Sequence, residues 1–201
     1  MPLWSREREL TARKLGRICG ADEAGVGPLA GRVYGAAVIL PLELELPGLN
    51  DSKKVSPKRR EELFAQIVEQ SVAWSVCWVE PEEIDTINIL NARIKAMDLA
   101  IRSLCPAADY ALVDGNRDHG SLMSILSPHE TVIRGDGSSA NMAAASILAK
   151  VSRDHYMMEM SEQYPQYEFY RHKGYPTRRH YELLREHGPC PIHRRSFLKR
   201  L

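Results

Sequence analysis

The chain has 201 residues, a formal net charge of +1, 44% hydrophobic and 26% charged residues, which is enough ordinary globular sequence for one sizeable core and a small appendage. It contains no run of roughly eighteen apolar residues, which excludes an α-helical membrane span. The opening Met-Pro-Leu-Trp-Ser-Arg-Glu-Arg-Glu has neither the basic start nor the apolar stretch of a secretory signal, so a cytoplasmic protein is expected.

In chain order, Arg17 to Asp22 reads as a short strand, followed by a glycine-rich segment from Gly25 to Gly31. The nearly unbroken apolar run from Val33 to Leu40 reads as a strand buried on both faces, and Pro41 to Asn50 as a loop. Ser56-Pro57 opens a helix, with serine as N-cap and proline at the first helical position. Val72, Trp74, Val76 and Trp78 alternate, which is the period of a strand with one bulky face. Ile87, Leu90, Ile94, Met97, Ile101 and Leu104 repeat every three or four residues, the core stripe of an amphipathic helix. Short strands are predicted at Tyr110–Val113 and Thr131–Ile133, a long helix at Asn141–Tyr164 and a second near Thr177–His187. Strands alternating with helices after an early hairpin-like pair predict a mixed α/β sheet with helices packed on it. The C-terminal stretch reads as a helical extension (core about 16–160, extension about 161–201) of one domain.

Acidic residues stand at three places where a strand hands over to a turn: Asp22-Glu23 before Ala24-Gly25, Asp114 before Gly115, and Asp136 between Gly135 and Gly137. Ligands in α/β sheets gather at such strand ends. Four converging carboxylates repel one another, and a hard divalent cation such as Mg²⁺ or Mn²⁺ relieves that repulsion. Neighbours on a regular strand point to opposite faces, so Asp22 and Glu23 are expected to share a site only if the strand ends or bulges there. Local basic clusters at Lys53-Lys54, Lys58–Arg60, Arg171–Lys173, Arg178-Arg179 and His193–Arg195 with Lys199-Arg200 are compatible with a phosphate-binding face. The four cysteines, Cys19, Cys77, Cys105 and Cys190, form no zinc knuckle or disulfide framework. Cys190 between His187 and His193 raises the thought of zinc but falls short of four ligands.

Six segments in one order resemble the type 2 ribonuclease H family (ribonuclease HII). They are Ala21-Asp-Glu-Ala-Gly-Val-Gly-Pro-Leu-Ala-Gly31, Leu49-Asn-Asp-Ser-Lys-Lys54, Val113-Asp-Gly-Asn116, Gly135-Asp136, Ala144-Ala-Ser-Ile-Leu-Ala-Lys-Val-Ser-Arg-Asp154 and His172-Lys-Gly-Tyr-Pro-Thr177. The resemblance implies a ribonuclease H-like fold and hydrolysis on the 5′ side of a ribonucleotide in RNA–DNA hybrids and in duplex DNA with embedded ribonucleotides, leaving a 3′-hydroxyl and a 5′-phosphate. It implies Mg²⁺ or Mn²⁺ on Asp22, Glu23, Asp114 and Asp136, with Asp154 as an ion-paired structural residue beside Arg153. It implies that Gly25, Val26 and Gly27 read the ribose–deoxyribose junction through the main chain near the 2′-hydroxyl, and that Tyr175 packs on the adjacent deoxyribose. Lys53, Lys54 and Lys150 are the expected phosphate contacts.

Two positions depart from the family pattern. Val26 replaces the arginine of the Gly-Arg-Gly segment, and Arg32 stands where a proline usually follows Leu-Ala-Gly. Main-chain recognition survives that exchange, whereas loss of a guanidinium predicts weaker and less salt-sensitive binding, with Arg32 the candidate to restore charge. The alternative reading of the drifted loop is a catalytically weak duplex-binding protein on the same fold. No membrane association or protein partner is evident from the sequence, and a monomer is expected.

Overall fold

Every residue of Val33–Ile39 is buried, which makes this run the middle of a layered structure rather than one wet face of a sheet. The computed structural model describes residues 3–133 and 135–198, with Asp136 by its backbone alone. The basic tail at Lys199-Arg200 therefore lies outside the described residues.

Five strands, β1 (Ile18–Ala24), β2 (Val33–Ile39), β3 (Ala73–Val79), β4 (Tyr110–Asp114) and β5 (His129–Val132), lie in the order β3-β2-β1-β4-β5. The β1–β2 and β2–β3 pairs are antiparallel, and β1–β4 and β4–β5 are parallel. This is the mixed sheet expected from the sequence. Helices α2 (Pro57–Gln70) and α4 (Ala140–Gln163) cover one face, and α3 (Pro81–Arg102) covers the other. The small residues of α4, with Ala143, Ala144, Ala145 and Ala149 all fully buried, let its backbone approach β1 and β2 closely. Fully burying Ile147 and Leu148 beside them contributes about 1.5–3 kcal/mol per side chain.

The helix caps show where sequence signals acted. Ser56 accepts a hydrogen bond from the Arg59 amide (3.3 Å), as an N-cap before proline should. Helix α3 starts at Pro81 rather than near Ile87, with Glu82 and Glu83 in a first turn that favours acids. The apolar period begins late because the helix is interrupted at Asn88 (φ 66°), whose side chain caps the remainder by accepting from the Asn91 amide (3.1 Å). An unanticipated helix α1 (Ser5–Ala12) buries Leu10 and sends the Glu7 carboxylate to Ser139 Oγ (2.6 Å) and the Asn141 amide (3.1 Å) at the start of α4.

After α4 the chain turns through Pro165–Tyr167 into a short α5 (Phe169–His172) and then α6 (Arg178–His187), capped by Thr177. Tyr167, Phe169, Leu183, Leu184 and Ile192 from this segment share one apolar cluster with Leu29 and Ala30 of the β1–β2 connection. That packing brings Tyr175 beside the glycine-rich loop. No helix among the described residues is long and apolar enough to cross a membrane.

Candidate active site

The parallel ladder between β1 and β4 ends at Ala21 and Val113. One residue further on, Asp22 and Asp114 face the α4 side, the same face as Gly20 and Leu112. Glu23 faces α3, where its Oε1 lies 3.4 Å from Arg93 Nε. No bulge is needed: β1 stays regular through Asp22, Glu23 and Ala24 against β2. Of the two conditions expected from the sequence for Asp22 and Glu23 to share a site, a strand end or a bulge, the strand end is the one met, since β1 stops at Ala24. Both reach one site because β1 outruns β4, opening a crevice at the strand ends that is reachable from either face. The Asp136 backbone lies in the turn after β5, and the Gly135 amide donates to Asp114 Oδ1 (3.3 Å), so that turn abuts Asp114. The Asp136 side chain lies outside the described residues.

Burial, followed by the charges of Glu23 and Asp114, pushes the Asp22 carboxyl well above the usual carboxylate range. Burial also raises Glu23, against the pull of Arg93, and raises Asp114, against the Gly135 amide. The Glu23 Oε2 atom is buried without a hydrogen-bond partner. Among the described residues no three His, Cys, Asp or Glu side chains are gathered closely enough to hold an ion by themselves. The donor set still fits a hard divalent cation, since it consists of carboxylate oxygens that repel one another and includes an orphaned one.

A cleft of about 240 Å³ joins Asp22 and Glu23 to much of the predicted site, being lined also by Gly25, Val26, Gly27, Lys53, Lys150 and Tyr175, whereas Asp114 does not line it. Gly25 has φ +98°, a conformation open to glycine, and a Cβ there would press on Arg153 Nε. At Gly27 a Cβ would come no nearer than 4.0 Å to Tyr175 Cε1, so the bare glycine and the ring face each other across open space. The Val26 side chain packs against the cluster of Val33, Ile84 and Ala92 near Ile87, Ile89 and Phe197. A valine suits that apolar position.

Lys54 does not line the cleft, unlike its neighbour Lys53. Lys150 does, and its Nζ pairs with Asp154 (2.7 Å). Asp154 is thus ion-paired, but to Lys150 rather than to Arg153. Arg32 takes no part in the cleft. Its guanidinium lies between the rings of Trp78 (4.8 Å) and Tyr156 (4.5 Å) and pairs with Glu80 (2.7 Å). Its charge is therefore committed, which corrects its assignment as a replacement phosphate contact.

The idea of zinc at Cys190 also falls away on geometry. His193 Nδ1 accepts from the Cys190 amide (3.0 Å), leaving its Nε2 to donate to His180 Nε2 (3.0 Å), while His180 Nδ1 donates to the Tyr175 carbonyl (3.0 Å). His172 bonds the Tyr167 carbonyl (2.9 Å) and the Gly174 amide (3.2 Å), and His187 packs edge-on against Tyr167. Every ring nitrogen of the three buried histidines is used, and two of them fix the main chain on either side of the Gly174-Tyr175 bond.

The sequence reading passed over four further groups. Ser52 and Ser146 line the cleft and bond each other (2.8 Å), with Ser146 also next to Asp22. Their signal lay in the quoted segments, but neither carries a charge to draw the eye. Arg153, known from the sequence only as the neighbour of Asp154, and Arg194, part of a basic cluster there, are both fully buried behind the glycine-rich loop. Burial and then the charge of Arg153 push the Arg194 guanidinium down to about 9.

The family model described as Ribonuclease HII matches residues 19–200. A ribonuclease HII of Idiomarina loihiensis is 51% identical over 186 residues, covering 92% of this chain and 97% of that one. The ribonuclease H2 of Pyrococcus horikoshii superposes with a TM-score of 0.73 at 25% identity, covering 90% of this chain and 93% of the other. The RNase HII of Archaeoglobus fulgidus, solved as a complex with PCNA, gives a TM-score of 0.74 at 26% identity over 89% of this chain and 94% of its own. With the mixed sheet, the strand-end acids and these likenesses in agreement, the chain belongs to the ribonuclease HII family.

Proposed function

We propose that this ribonuclease H-type endonuclease hydrolyses the phosphodiester on the 5′ side of a ribonucleotide, in RNA–DNA hybrids and in DNA duplexes with embedded ribonucleotides, leaving a 3′-hydroxyl and a 5′-phosphate. The observation that carries this reading is a single cleft lined by Asp22, Glu23, the Gly25–Gly27 loop and Tyr175. Mg²⁺ or Mn²⁺ held by Asp22, Glu23, Asp114 and Asp136 would supply the charge that activates water and stabilises the leaving oxygen. Gly27 leaves room for a sugar against the Tyr175 ring, which packs on the neighbouring deoxyribose. Lys53 lies near enough to Glu23 and Asp114 to oppose in part the rise that burial gives their carboxyls and, with Lys150, meets the phosphates. The duplex-binding alternative drew on the drift at Val26, and the apolar packing of that side chain supplies a reason for valine that does not involve lost catalysis.

The test is a labelled DNA duplex with one internal ribonucleotide, incubated with Mg²⁺ or Mn²⁺ beside an all-DNA duplex and an RNA–DNA hybrid. One cut 5′ to the ribonucleotide is expected, abolished by EDTA and reduced at least a thousandfold in Asp114→Asn. No cleavage of any substrate with either metal would overturn the proposal. The PCNA complex of the archaeal relative makes a sliding clamp the partner to test against the expected monomer, with light scattering as the readout.

A further inference from the structure

All of the hydrogen bonds that the Arg194 side chain makes end on main-chain carbonyls of one loop. Its Nε donates to Gly31 O (2.8 Å), Nη1 to Val26 O (3.2 Å) and Pro28 O (2.8 Å), and Nη2 to Gly25 O (2.7 Å) and Arg32 O (3.1 Å). Arg153 adds bonds to Arg32 O (3.3 Å), Ala30 O (3.2 Å) and Lys173 O (3.0 Å), tying the loop to the strand of chain before Tyr175. Burying two guanidinium groups on carbonyls is a costly way to fill space, and apolar side chains of similar volume would do so with less desolvation. What the arginines contribute is the shape of the loop.

That shape has a direct consequence for the cleft. In a planar trans peptide the C=O and N–H point in opposite directions. Drawing the Gly25 and Val26 carbonyls inward to Arg194 therefore turns the Val26 and Gly27 amides outward. Both residues line the cleft, and among the described residues neither amide donates to a protein acceptor. The loop's other ends are pinned, with the Leu29 amide on Gly174 O and the Gly31 amide on Ile192 O, each at 2.8 Å.

We propose that Arg194, assisted by Arg153, is the positioning residue of the ribose-reading loop: by gathering its carbonyls it presents the Val26 and Gly27 amides as the donors that distinguish ribose from deoxyribose, while leaving the acids untouched. The inference rests on the nuclease reading above. It also accounts for tolerance of valine at position 26, because the position is read through its main chain and held from behind.

The experiment compares the full chain with Arg194→Lys and Arg153→Lys, since an ammonium has three donors and no planar fork. Hydrogen exchange over residues 25–32, Mn²⁺ affinity, and the ratio of Kd values for the all-DNA and single-ribonucleotide duplexes in Ca²⁺ are measured together. In Arg194→Lys the loop amides should exchange at least tenfold faster, with β1, β2 and Mn²⁺ affinity unchanged, and the preference for the ribonucleotide should fall at least fivefold. Arg153→Lys should do the same to a smaller extent. An unchanged preference in Arg194→Lys, or protection lost evenly across the sheet in both variants, would overturn the proposal. If the wild-type protein neither cleaves nor prefers the ribonucleotide, the nuclease reading fails, and loop exchange still decides whether Arg194 holds the loop.

Discussion

Replacing Gly27 with alanine should separate stability from activity in opposite directions. Gly27 is not among the residues with positive φ, and a Cβ there meets only Tyr175 Cε1 at 4.0 Å, an ordinary van der Waals distance. The folded chain therefore accepts the methyl without strain. Reduced freedom of the unfolded chain should then stabilise the protein by about 0.4–1 kcal/mol, or roughly 1–3 °C in Tm for a chain of this size. The same methyl fills the gap between the loop and the Tyr175 ring, where the sugar is proposed to lie. Displacing the substrate by about 1 Å is enough to lower kcat/KM by about a hundredfold. The assay is cleavage of the single-ribonucleotide duplex beside a thermal melt. A variant that melts higher and cuts within twofold of wild type would refute the placement of the sugar. Gly25→Ala is the contrasting control. At φ +98° and against Arg153, it should lose about 1–3 kcal/mol of stability.

Two further outcomes follow from groups outside the acids. His180 and His193 are buried and neutral, each with its pKa pushed down to about 4, mainly by burial. Above pH 6.5 such a histidine is neutral folded or unfolded; between 6.5 and 4 only the unfolded chain takes up the proton, so stability is lost as pH falls through that window. At pH 5 the loss is on the order of 2 kcal/mol for each, and denaturant titrations at pH 7 and 5 should show His180→Gln losing less than wild type by that amount. Equal losses in the two proteins would count against the buried neutral histidine. Arg32→Ala should cost about 1–2 kcal/mol of stability through its lost contacts with Trp78, Tyr156 and Glu80. It should leave the slope of log Kd against log salt unchanged, and a shallower slope would return Arg32 to the phosphate contacts.

The sheet was legible because its strands are short and each is followed within three residues by Gly or Pro, and all five appeared within two residues of their observed ends. The acids were legible as strand-end carboxylates, but the register that lets Asp22 and Glu23 line one cleft was not. The parallel ladder stops at Ala21–Val113, a property of two strands at once. Helix α1 carries no apolar stripe, and Leu10 and Glu7 are its buried side chains. Arg194 was the largest misreading. In sequence it sits in a basic run, between His193 and Arg195, and only the packing of the chain's last turns against the Gly25–Arg32 loop reveals that it is buried. Arg32 has no place legible in the sequence, because its neighbours Trp78 and Tyr156 come from a distant strand and helix.

The contacts of Arg194 also bear on the order in which a newly made chain acquires its abilities. The strand-end acids have all been synthesised once Asp136 has been added, whereas the loop at residues 25–32 must wait for a side chain more than 160 positions further on. On the proposed reading, the emerging chain thus holds its strand-end carboxylates before it holds the arginine that shapes the loop. On the same reading, cutting the chain between α6 and Arg194 would keep the strand-end carboxylates on the larger piece and detach from it the side chain that gathers the loop's carbonyls.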